Sequence, residues 1–352
     1  MLRYYINKRG KMKPVKVIQI GTAHDHASAA IKTLRALPDH FELIGICEPE
    51  SEYLPKLKKS YYNDLKLYTL DEALKISDLE AVVIESSEET ATHYAQLFAD
   101  KGIHVYMDKP GTHGYDSFEK LVNTLRSKNL ILHMGYMYRY NPMIKKSLEM
   151  VKSGELGEIY SVEAHMSVHH PKEKREWLSK HKGGMMYFLG CHDIDLVLQF
   201  MGAEPQEVIS LNTATGQDGV ECEDFGFAVL KYANGSSFVK SCAAEYNGYD
   251  RRQLVVCGTR GTIELRPIES KVKDQTQSVQ KQYTRGRFTT DANELPCFSN
   301  CDEWEDSEAY DRYEELFKTF AEEVRGSRIN PYTYDYELSL FRTLMKCCNY
   351  DN

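Results

Sequence analysis

A lysine and a histidine are the residues best suited to acid–base chemistry in this sequence. Lys109 follows a strand-like run and precedes Pro110, which disfavours helical backbone angles at Lys109. An ammonium held at the carboxyl edge of a parallel sheet could hydrogen-bond a substrate hydroxyl and help it lose its proton as hydride leaves the carbon. His192 lies in a helix-like stretch, and because imidazole titrates near neutral pH it is the best candidate for a general acid or base.

The turn after the first strand-like run carries part of a dinucleotide-binding fingerprint. Where the fingerprint has Gly-x-Gly-x-x-Gly/Ala, this sequence has Gly21, Ala23 and His26. The context supports the motif, because a strand precedes the turn, a helix follows it, and Glu48 comes at about the expected interval of 20 residues. A carboxylate there would accept from both ribose hydroxyls and repel a 2′-phosphate, which favours NAD over NADP. The other predicted cofactor contacts are Thr22, His24, Ser86, His93, Asp108 and Lys109.

Two groups of histidines invite a metal interpretation that the sequence does not favour. His24 and His26 are explained as polar side chains at a helix N-terminus near phosphate, since a metal centre needs three or four converging ligands. Glu163, His165 and His169 share one face of a predicted strand, without a further ligand at metal spacing. We therefore predict no metal site, and we expect that strand face to be solvated or to lie in an interface.

Four short motifs occur in a characteristic order along the chain. They are Thr92-His93, Asp108-Lys109-Pro110, the stretch 135–142 with Arg139 and Tyr140, and the stretch 183–195 with its glycine pair and His192. Their order and spacing resemble those of the Gfo/Idh/MocA family (glucose–fructose oxidoreductase, inositol dehydrogenase and rhizopine catabolism), over nearly the whole chain. The resemblance implies a Rossmann domain followed by a domain with a large, mostly antiparallel sheet. It also implies an NAD(P) cofactor and a sugar, polyol or keto-sugar substrate.

One position departs from the family pattern near His192. Members usually have an Asp four residues before this His, and here Phe188 stands in its place. In an α-helix, residues 188, 192 and 195 would share one face, so Phe188 would lie beside the substrate without being able to pass a proton. The predicted substrate contacts are Lys109, Arg139, Tyr140, Trp177, Phe188 and His192, although core packing explains Trp177 equally well.

Three functions remain open on this reading. The leading one is an NAD-dependent oxidoreductase that moves hydride between nicotinamide and a sugar, polyol or keto-sugar, with Lys109 polarising the reacting oxygen and His192 exchanging its proton. The second is a redox-neutral enzyme that oxidises a sugar transiently and then eliminates or hydrolyses a neighbouring group. The third is a nucleotide-binding regulator without catalysis. Phe188 gives weight to the last two, whereas retention of Lys109 and His192 argues against the third.

Alternating strand-like and helix-like runs must position these residues in the first third of the chain. Strands are predicted at 15–21, 41–48, 79–85, 104–108 and 131–136, with helices at 26–37, 90–100 and 117–127. Strands separated by helical segments of about 10–15 residues indicate βαβ units and a parallel sheet. We therefore predict an α/β domain over residues 14–138.

The pattern changes after about residue 157. Strands are predicted at 158–168, 207–213, 225–232, 237–246, 253–256 and 262–266, with helices at 184–200, 310–324 and 336–347 and a polar excursion over 271–308. Asn234-Gly235 is a strong hairpin signal, and a second turn is expected at 259–261. Hairpin-linked strands favour an antiparallel sheet, so residues 139–352 are predicted to form one α+β domain that includes the last helices.

Composition excludes several classes of protein. The 352 residues correspond to about two domains of 150 residues each. The 44 Lys and Arg against 52 Asp and Glu give a net charge of −8, which offers no general attraction to nucleic acid or anionic lipid. No apolar run approaches the roughly 18 residues of a membrane span, and the basic, polar residues 1–13 do not resemble a secretory signal.

The cysteines predict the cellular location, and the family resemblance predicts the oligomeric state. The 9 cysteines are scattered without a Cys-x-x-Cys pair, so we expect reduced thiols and a cytoplasmic protein. Family members pair through the open face of the second-domain sheet. The resemblance therefore implies a homo-oligomer, a dimer or a tetramer, with a small-molecule carbohydrate or polyol as the other partner.

Overall fold

Two compact units make up the chain. The computed structural model describes residues 13–112, 114–272, 275–277, 279–284 and 303–350. The first unit runs to Met137 and also contains Tyr313–Leu338, whereas the second contains Tyr138–Arg312 and the residues from Ser339 onward. The residues before 13, Cys297, Cys301 and much of the predicted excursion over 271–308 lie outside the described residues.

A six-stranded parallel sheet forms the centre of the first unit. Its strands are β1 (Val15–Ile20), β2 (Phe41–Cys47), β3 (Leu67–Tyr68), β4 (Ala81–Ile84), β5 (His104–Met107) and β6 (Leu132–Met134). They lie side by side in the order 3-2-1-4-5-6, which is the order of the Rossmann fold. The prediction of a parallel α/β sheet is confirmed, and β3 is a short addition that the sequence did not indicate.

Helices cover this sheet, including one from far along the chain. They are α1 (Ala27–Ala36), α2 (Leu70–Ala73), α3 (Ala91–Asp100), α4 (Tyr115–Ser127) and α8 (Glu314–Val324). Phe317 of α8 stacks on Tyr106 of β5 with ring centroids 4.7 Å apart, and Phe320 stacks on Phe41 of β2. Burying two such rings stabilises the unit by about 2–3 kcal/mol each. This packing places α8 with the first unit, whereas the sequence assigned residues 139–352 to a single domain.

An eight-stranded sheet forms the centre of the second unit. Its members are β7 (Ile159–Ser167), β8 (Glu207–Thr213), β9 (Phe225–Tyr232), β10 (Gly235–Cys242), β11 (Gln253–Gly258), β12 (Gly261–Leu265), β15 (Val279–Thr284) and β16 (Glu303–Asp306). The order is 16-15-12-11-7-10-9-8, and only the β7–β10 pair is parallel. The predicted large, mostly antiparallel sheet is confirmed, as is a hairpin between β9 and β10, although its turn residues are Ala233 and Asn234 because Gly235 already pairs with Tyr232.

One face of the large sheet is covered by helix. The second unit contains α5 (Pro142–Lys152), α6 (Lys172–Leu178), α7 (Cys191–Met201) and most of α9 (Tyr334–Cys347). Val162, Ala164 and Met166 of β7 are buried, and α7 packs against this strand. Nearly every residue of α7 is buried, as expected for a helix that is apolar on most sides. The motif containing His192 therefore lies in the core of its unit.

Part of the predicted polar excursion is ordered structure. Residues 270–284 include β13 (Ser270–Val272), β14 (Gln275–Gln277) and β15, and residues 303–306 form β16. The polar composition of this stretch did not predict these strands. β16 and β15 are the last two strands at one edge of the large sheet, and β13 pairs with β14 in a separate two-stranded sheet. Among the described helices, none has both the length and the apolar character required to cross a bilayer.

Candidate active site

The turn after β1 brings the backbone very close to the end of β4. Gly21 has φ +86°, and a Cβ atom there would lie 2.5 Å from Cα of Ser86. The Gly21 N–H donates to the carbonyl of Cys47 at 2.7 Å, and this hydrogen bond joins the turn after β1 to the end of β2. A side chain at this position would force the two segments apart. The turn therefore forms a closely packed backbone cradle at the carboxyl edge of the sheet, and Ser86 is buried behind it.

Glu48 follows β2 and closes one side of this turn. Its carboxylate accepts from the Thr22 hydroxyl at 2.5 Å and from the Glu50 amide at 3.0 Å. Burial raises the pKa of Glu48, and these two donors oppose that shift. Lys56 also reaches the turn and donates to the carbonyl oxygens of Thr22 and Ala23 at 2.8 and 3.2 Å. Sequence reasoning missed Lys56 because it lies in a solvated 3-10 segment without a motif.

The two histidines of the turn point toward the strand ends. Nδ1 of His24 lies 3.6 Å from Oδ2 of Asp108 and 3.5 Å from Oε2 of Glu85, and it accepts from the His26 amide at 3.2 Å. Nδ1 of His26 lies 3.1 Å from Oδ2 of Asp108. Burial lowers the pKa of His24 to about 3. Glu85, which follows β4, is a member of this group that the sequence did not single out.

Lys109 lies at the carboxyl edge of β5, where the sequence placed it. It is 2% exposed, and its backbone amide donates to Oδ1 of Asp108 at 2.7 Å. Burial works against ionisation of Asp108, but the nearby imidazoles and Lys109 hold its pKa below the usual range. Gly135 passes so close that a Cβ there would lie 2.9 Å from Cγ of Asp108. This close approach explains the glycine that opens the motif at 135–142.

The two residues of the Thr-His element, Thr92 and His93, lie in different surroundings. Thr92 is buried, and its hydroxyl donates to the carbonyl of Gly111 at 3.2 Å, next to the Lys-Pro segment. His93 is exposed on α3, where its ring contacts Tyr94. The described residues show no contact between His93 and the turn after β1. The structure therefore brings together the predicted cofactor residues of the turn, Ser86, Asp108 and Lys109, but leaves His93 outside this group.

His192 is buried in the second unit against an anchored tyrosine. Its ring meets that of Tyr138 edge to face, with centroids 5.0 Å apart and planes at 87°. The Tyr138 hydroxyl donates to Oε1 of Glu269 at 2.5 Å and accepts from Arg252 at 2.6 Å. Arg252 also donates to Glu269 at 2.8 Å. The buried ionic network therefore fixes the tyrosine ring on which His192 packs, a role that the motif alone did not reveal.

The segment before His192 is not the regular α-helix that the sequence indicated. Residues Met186–Gly190 form a π-helical turn, and α7 begins only at Cys191. The extra residue in such a turn changes the direction of the side chains that precede it, so the α-helical face predicted for 188, 192 and 195 does not apply across this junction. Single π-helical turns are frequent at functional sites.

Phe188 belongs to an aromatic cluster. Its ring lies 5.4 Å from that of Trp177, and the Lys174 ammonium lies 3.7 Å from the Trp177 centroid and 4.5 Å from the Phe188 centroid. His170 adds an edge contact to Phe188 at 6.3 Å. The position of the family's Asp is therefore occupied by an apolar wall with one ammonium. The structure thus joins two predicted substrate residues, Phe188 and Trp177, through Lys174.

Arg139 and Tyr140 are buried among other protein side chains, which indicates a structural role. Arg139 is buried, and its Nε donates to both carboxylate oxygens of Asp195 at 3.1 and 3.0 Å while Nη2 donates to Oδ1 at 2.8 Å. Gln199 donates to the same carboxylate at 2.9 Å. Tyr140 is also buried. Because the Asp195 pair accounts for the guanidinium charge, substrate contact by Arg139 stays a prediction that this geometry does not favour.

His165 lies in β7 and His169 follows this strand, and the two side chains have different partners. His165 contacts Ser167 at 2.9 Å and Glu245 at 3.3 Å, whereas the exposed His169 stacks on Tyr246. Lys240 donates to the same Glu245 carboxylate at 2.7 Å. His165, Lys240 and Glu245 therefore form a local, partly buried polar network, and solvation of this strand face stays a prediction.

Comparison with known proteins gives matches over both units. The sequence profile of an oxidoreductase family with an NAD-binding Rossmann fold matches residues 15–136, and that of the GFO/IDH/MocA C-terminal domain matches residues 144–264. Together the two matches cover more than half of the chain.

The individual relatives share less than a third of their residues with this chain. An uncharacterized oxidoreductase of Schizosaccharomyces pombe is 27% identical over 274 residues, covering 75% of this chain and 74% of the relative. The D-xylose 1-dehydrogenase (NADP(+)) 2 of Haloferax volcanii is 27% identical over 224 residues, covering 62% and 66%. The crystal structure of aldose-aldose oxidoreductase from Caulobacter crescentus has a TM-score of 0.74 at 16% identity, covers 95% of this chain and 97% of its own, and shows a shared fold.

Proposed function

Because the chain belongs to the Gfo/Idh/MocA oxidoreductase family, we propose that it transfers a hydride between NAD and a sugar, polyol or keto-sugar. Several of its relatives and structural neighbours are named oxidoreductases or dehydrogenases. The observation that carries the proposal is the position of Lys109, buried beside Asp108 at the carboxyl edge of a Rossmann sheet and next to the cradle at Gly21. Ligands of open α/β sheets bind at this edge.

The residues of the first unit fit a dinucleotide. Gly21 and Ser86 pack closely at the carboxyl edge of the sheet, where a Rossmann fold would bind the phosphates, and Glu48 is the proposed ribose contact. A nicotinamide, when bound, supplies the carbon that accepts or releases hydride. Lys109 would then hydrogen-bond the reacting oxygen of the substrate, and its positive charge would favour the alkoxide form of that oxygen.

His192 is the proposed proton acceptor and donor. Its imidazole can take the proton of the substrate hydroxyl in the oxidative direction and return it in the reductive direction. The packing against Tyr138 restricts the orientation of the ring, which a residue in this role requires. Lys109 belongs to the first unit and His192 to the second.

The aromatic cluster around Phe188 supports a carbohydrate substrate and leaves a second mechanism open. Trp177, which is partly exposed, offers an apolar ring suited to the C–H face of a sugar or polyol, and the buried Phe188 packs against it edge to face. Since Phe188 cannot orient a second hydroxyl as the family's Asp would, the substrate could lack that contact. The alternative is a redox-neutral reaction, in which transient oxidation is followed by elimination or hydrolysis at a neighbouring carbon.

NAD is the proposed cofactor, and a second copy of the chain is the proposed partner. The Glu48 carboxylate favours NAD, although a relative is named for NADP. Ile209 and Leu211 of the edge strand β8 are 44% and 56% exposed and lie opposite Val229 and Phe227 of β9. This apolar half of the open sheet face favours a homo-oligomer, whether dimer or tetramer. The cytoplasmic location stays a prediction from the thiols, and all seven described cysteines are free.

Turnover and nucleotide binding, measured together, test the proposal. The full chain should reduce NAD with at least one member of a panel of aldoses, polyols and inositols, and His192→Ala should lower kcat by roughly 10²–10⁴. Lys109→Met should abolish turnover while NAD binding is retained. Nucleotide binding without turnover on any panel member would instead indicate the regulator, and wild-type turnover by His192→Ala would refute the role of His192.

A further inference from the structure

Four metal-ligating side chains from three segments of the first unit meet at the carboxyl ends of β1, β4 and β5. They are His24 and His26 of the turn after β1, Glu85 after β4, and Asp108 after β5. We propose that these four residues bind a divalent transition-metal ion. The sequence argued against an ion here because only two ligands were visible, and the fold supplies two carboxylates.

The distances between donor atoms fit a small cation. Nδ1 of His26 and Oδ2 of Asp108 are 3.1 Å apart, and Nδ1 of His24 lies 3.6 Å from that oxygen and 3.5 Å from Oε2 of Glu85. Donors at about 2.0–2.1 Å from a tetrahedral zinc ion stand about 3.3 Å from one another. One donor atom from each of His24, His26 and Asp108 can be chosen so that all lie within 4.8 Å.

Glu85 supplies a second observation that fits a bound cation. It is 1% exposed, and neither of its carboxylate oxygens has a hydrogen-bond partner among the described residues. A buried carboxylate without donors is strongly unfavourable, and such groups are usually paired or coordinate a metal. Nε2 of His24 is likewise buried without a hydrogen-bond partner. The three atoms that lack a hydrogen-bond partner therefore belong to two adjacent members of the cluster, Glu85 and His24.

The donor set selects the class of ion. Two imidazoles with two carboxylates suit Zn²⁺, Mn²⁺, Fe²⁺ or Co²⁺, whereas Mg²⁺ and Ca²⁺ prefer oxygen ligands alone. The His26 side chain is 17% exposed, so an ion could enter past this residue. An ion on Nδ1 of His24 would replace the hydrogen bond from the His26 amide, and binding should therefore change the environment of that amide.

Metal binding can be measured without nucleotide or sugar, so it is tested separately from the proposed oxidoreductase activity. The full chain, freed of metal by a chelator and dialysed, is titrated with Zn²⁺, Mn²⁺ and Mg²⁺, and the bound metal is counted by elemental analysis. We expect one Zn²⁺ per chain and much weaker binding of Mg²⁺. Co²⁺ in place of zinc should give the visible absorption of a four-coordinate site with nitrogen and oxygen donors.

Matched variants locate the ion. Glu85→Gln and His26→Asn should each weaken zinc binding by at least about tenfold, since loss of even an outer partner of a metal ligand costs 10–100-fold. Glu89→Gln, an exposed carboxylate four residues beyond Glu85, and His169→Asn in the second unit should bind as the unmodified chain does. Circular dichroism and thermal unfolding confirm that each variant is folded, and His26→Asn is the safer change because this side chain is partly exposed.

Three results would overturn the inference. The unmodified chain could retain no stoichiometric ion, the Glu85 and His26 variants could bind zinc as tightly as the controls, or Mg²⁺ could bind as tightly as Zn²⁺. If no ion binds and Glu85→Gln raises the thermal unfolding temperature, the cluster is a group of buried side chains that share protons. Loss of sugar oxidation with intact zinc binding would count against the proposed activity alone.

Discussion

The His192 ring stands edge to face on the Tyr138 ring at 5.0 Å, and the Tyr138 hydroxyl is held between Glu269 and Arg252. Tyr138 is thus a positioning residue for the proposed acid–base group. Tyr138→Phe keeps the ring but removes the hydroxyl from a buried network. It should lower the free energy of unfolding by about 1–3 kcal/mol and leave kcat within a few-fold of the unmodified enzyme.

Tyr138→Leu is the matched change, since it also removes the ring. It should lower kcat by roughly tenfold to a hundredfold through misplacement of His192, and it should shift the pH dependence of kcat. Denaturant unfolding and kcat–pH profiles of both variants separate the two effects. Equal loss of kcat in the two variants would contradict a positioning role for the ring.

The buried pair of Arg139 and Asp195 should be a large determinant of stability. Asp195→Asn leaves the guanidinium buried without its counter-charge, so we expect a loss of about 3–5 kcal/mol in the free energy of unfolding. Glu207→Gln breaks the exposed pair with Lys231 and should cost no more than about 1 kcal/mol. Both losses are measured by denaturant titration. Similar losses in the two variants would show that the buried Arg139–Asp195 pair contributes no more to stability than an exposed ion pair.

Glu48 should determine the choice of nucleotide. Glu48→Gln removes the negative charge that repels a 2′-phosphate, so the ratio of NADP to NAD affinity should rise by about tenfold, or ~1.4 kcal/mol. Glu52→Gln, an exposed change on the next segment, is the control. Calorimetric titration of both nucleotides gives the ratio. Tighter binding of NADP than NAD by the unmodified chain would refute the assignment, and Lys56 would then be the first residue to test.

Acid should destabilise the first unit through His104. Burial lowers the pKa of His104 from 6.5 to about 4, and its Nδ1 accepts from the Ile131 amide at 2.9 Å. Between those pH values the unfolded chain binds a proton that the folded chain excludes, so stability falls as the pH falls. The contribution is up to about 1.4 kcal/mol per pH unit. His104→Asn should reduce the slope of unfolding free energy against pH by this amount, and an unchanged slope would exclude the effect.

The sequence predicted the regular parts of both units because their signals are local. Strand bounds such as 207–213 and 225–232 agree with the structure, since alternation and hairpin turns are encoded within each stretch. Gly21 and Glu48 could be identified for the same reason, because the fingerprint fixes their spacing. Lys109 was located by a strand followed by proline.

The parts that the sequence did not reveal depend on contacts between distant segments. Packing of Phe317 and Phe320 assigns α8 to the first unit, and nothing within α8 indicates this partner. Glu85 joins His24 only when β4 lies beside β1. The π-helical turn before Cys191 likewise depends on tertiary packing, because the apolar period alone indicates a continuous helix.

Transfer of a deuterium label tests the central claim most directly. Aldoses and polyols that carry deuterium on the oxidised carbon are incubated with the full chain and NAD, and the recovered nucleotide and sugar are examined by mass spectrometry. The account predicts that at least one substrate delivers its deuterium to the nicotinamide with net formation of NADH, and that Lys109→Met prevents this while NAD remains bound. Return of the label to a rearranged or cleaved sugar would support the redox-neutral alternative. Absence of label transfer from every substrate, with NAD bound, would contradict an oxidoreductase that acts on sugars or polyols.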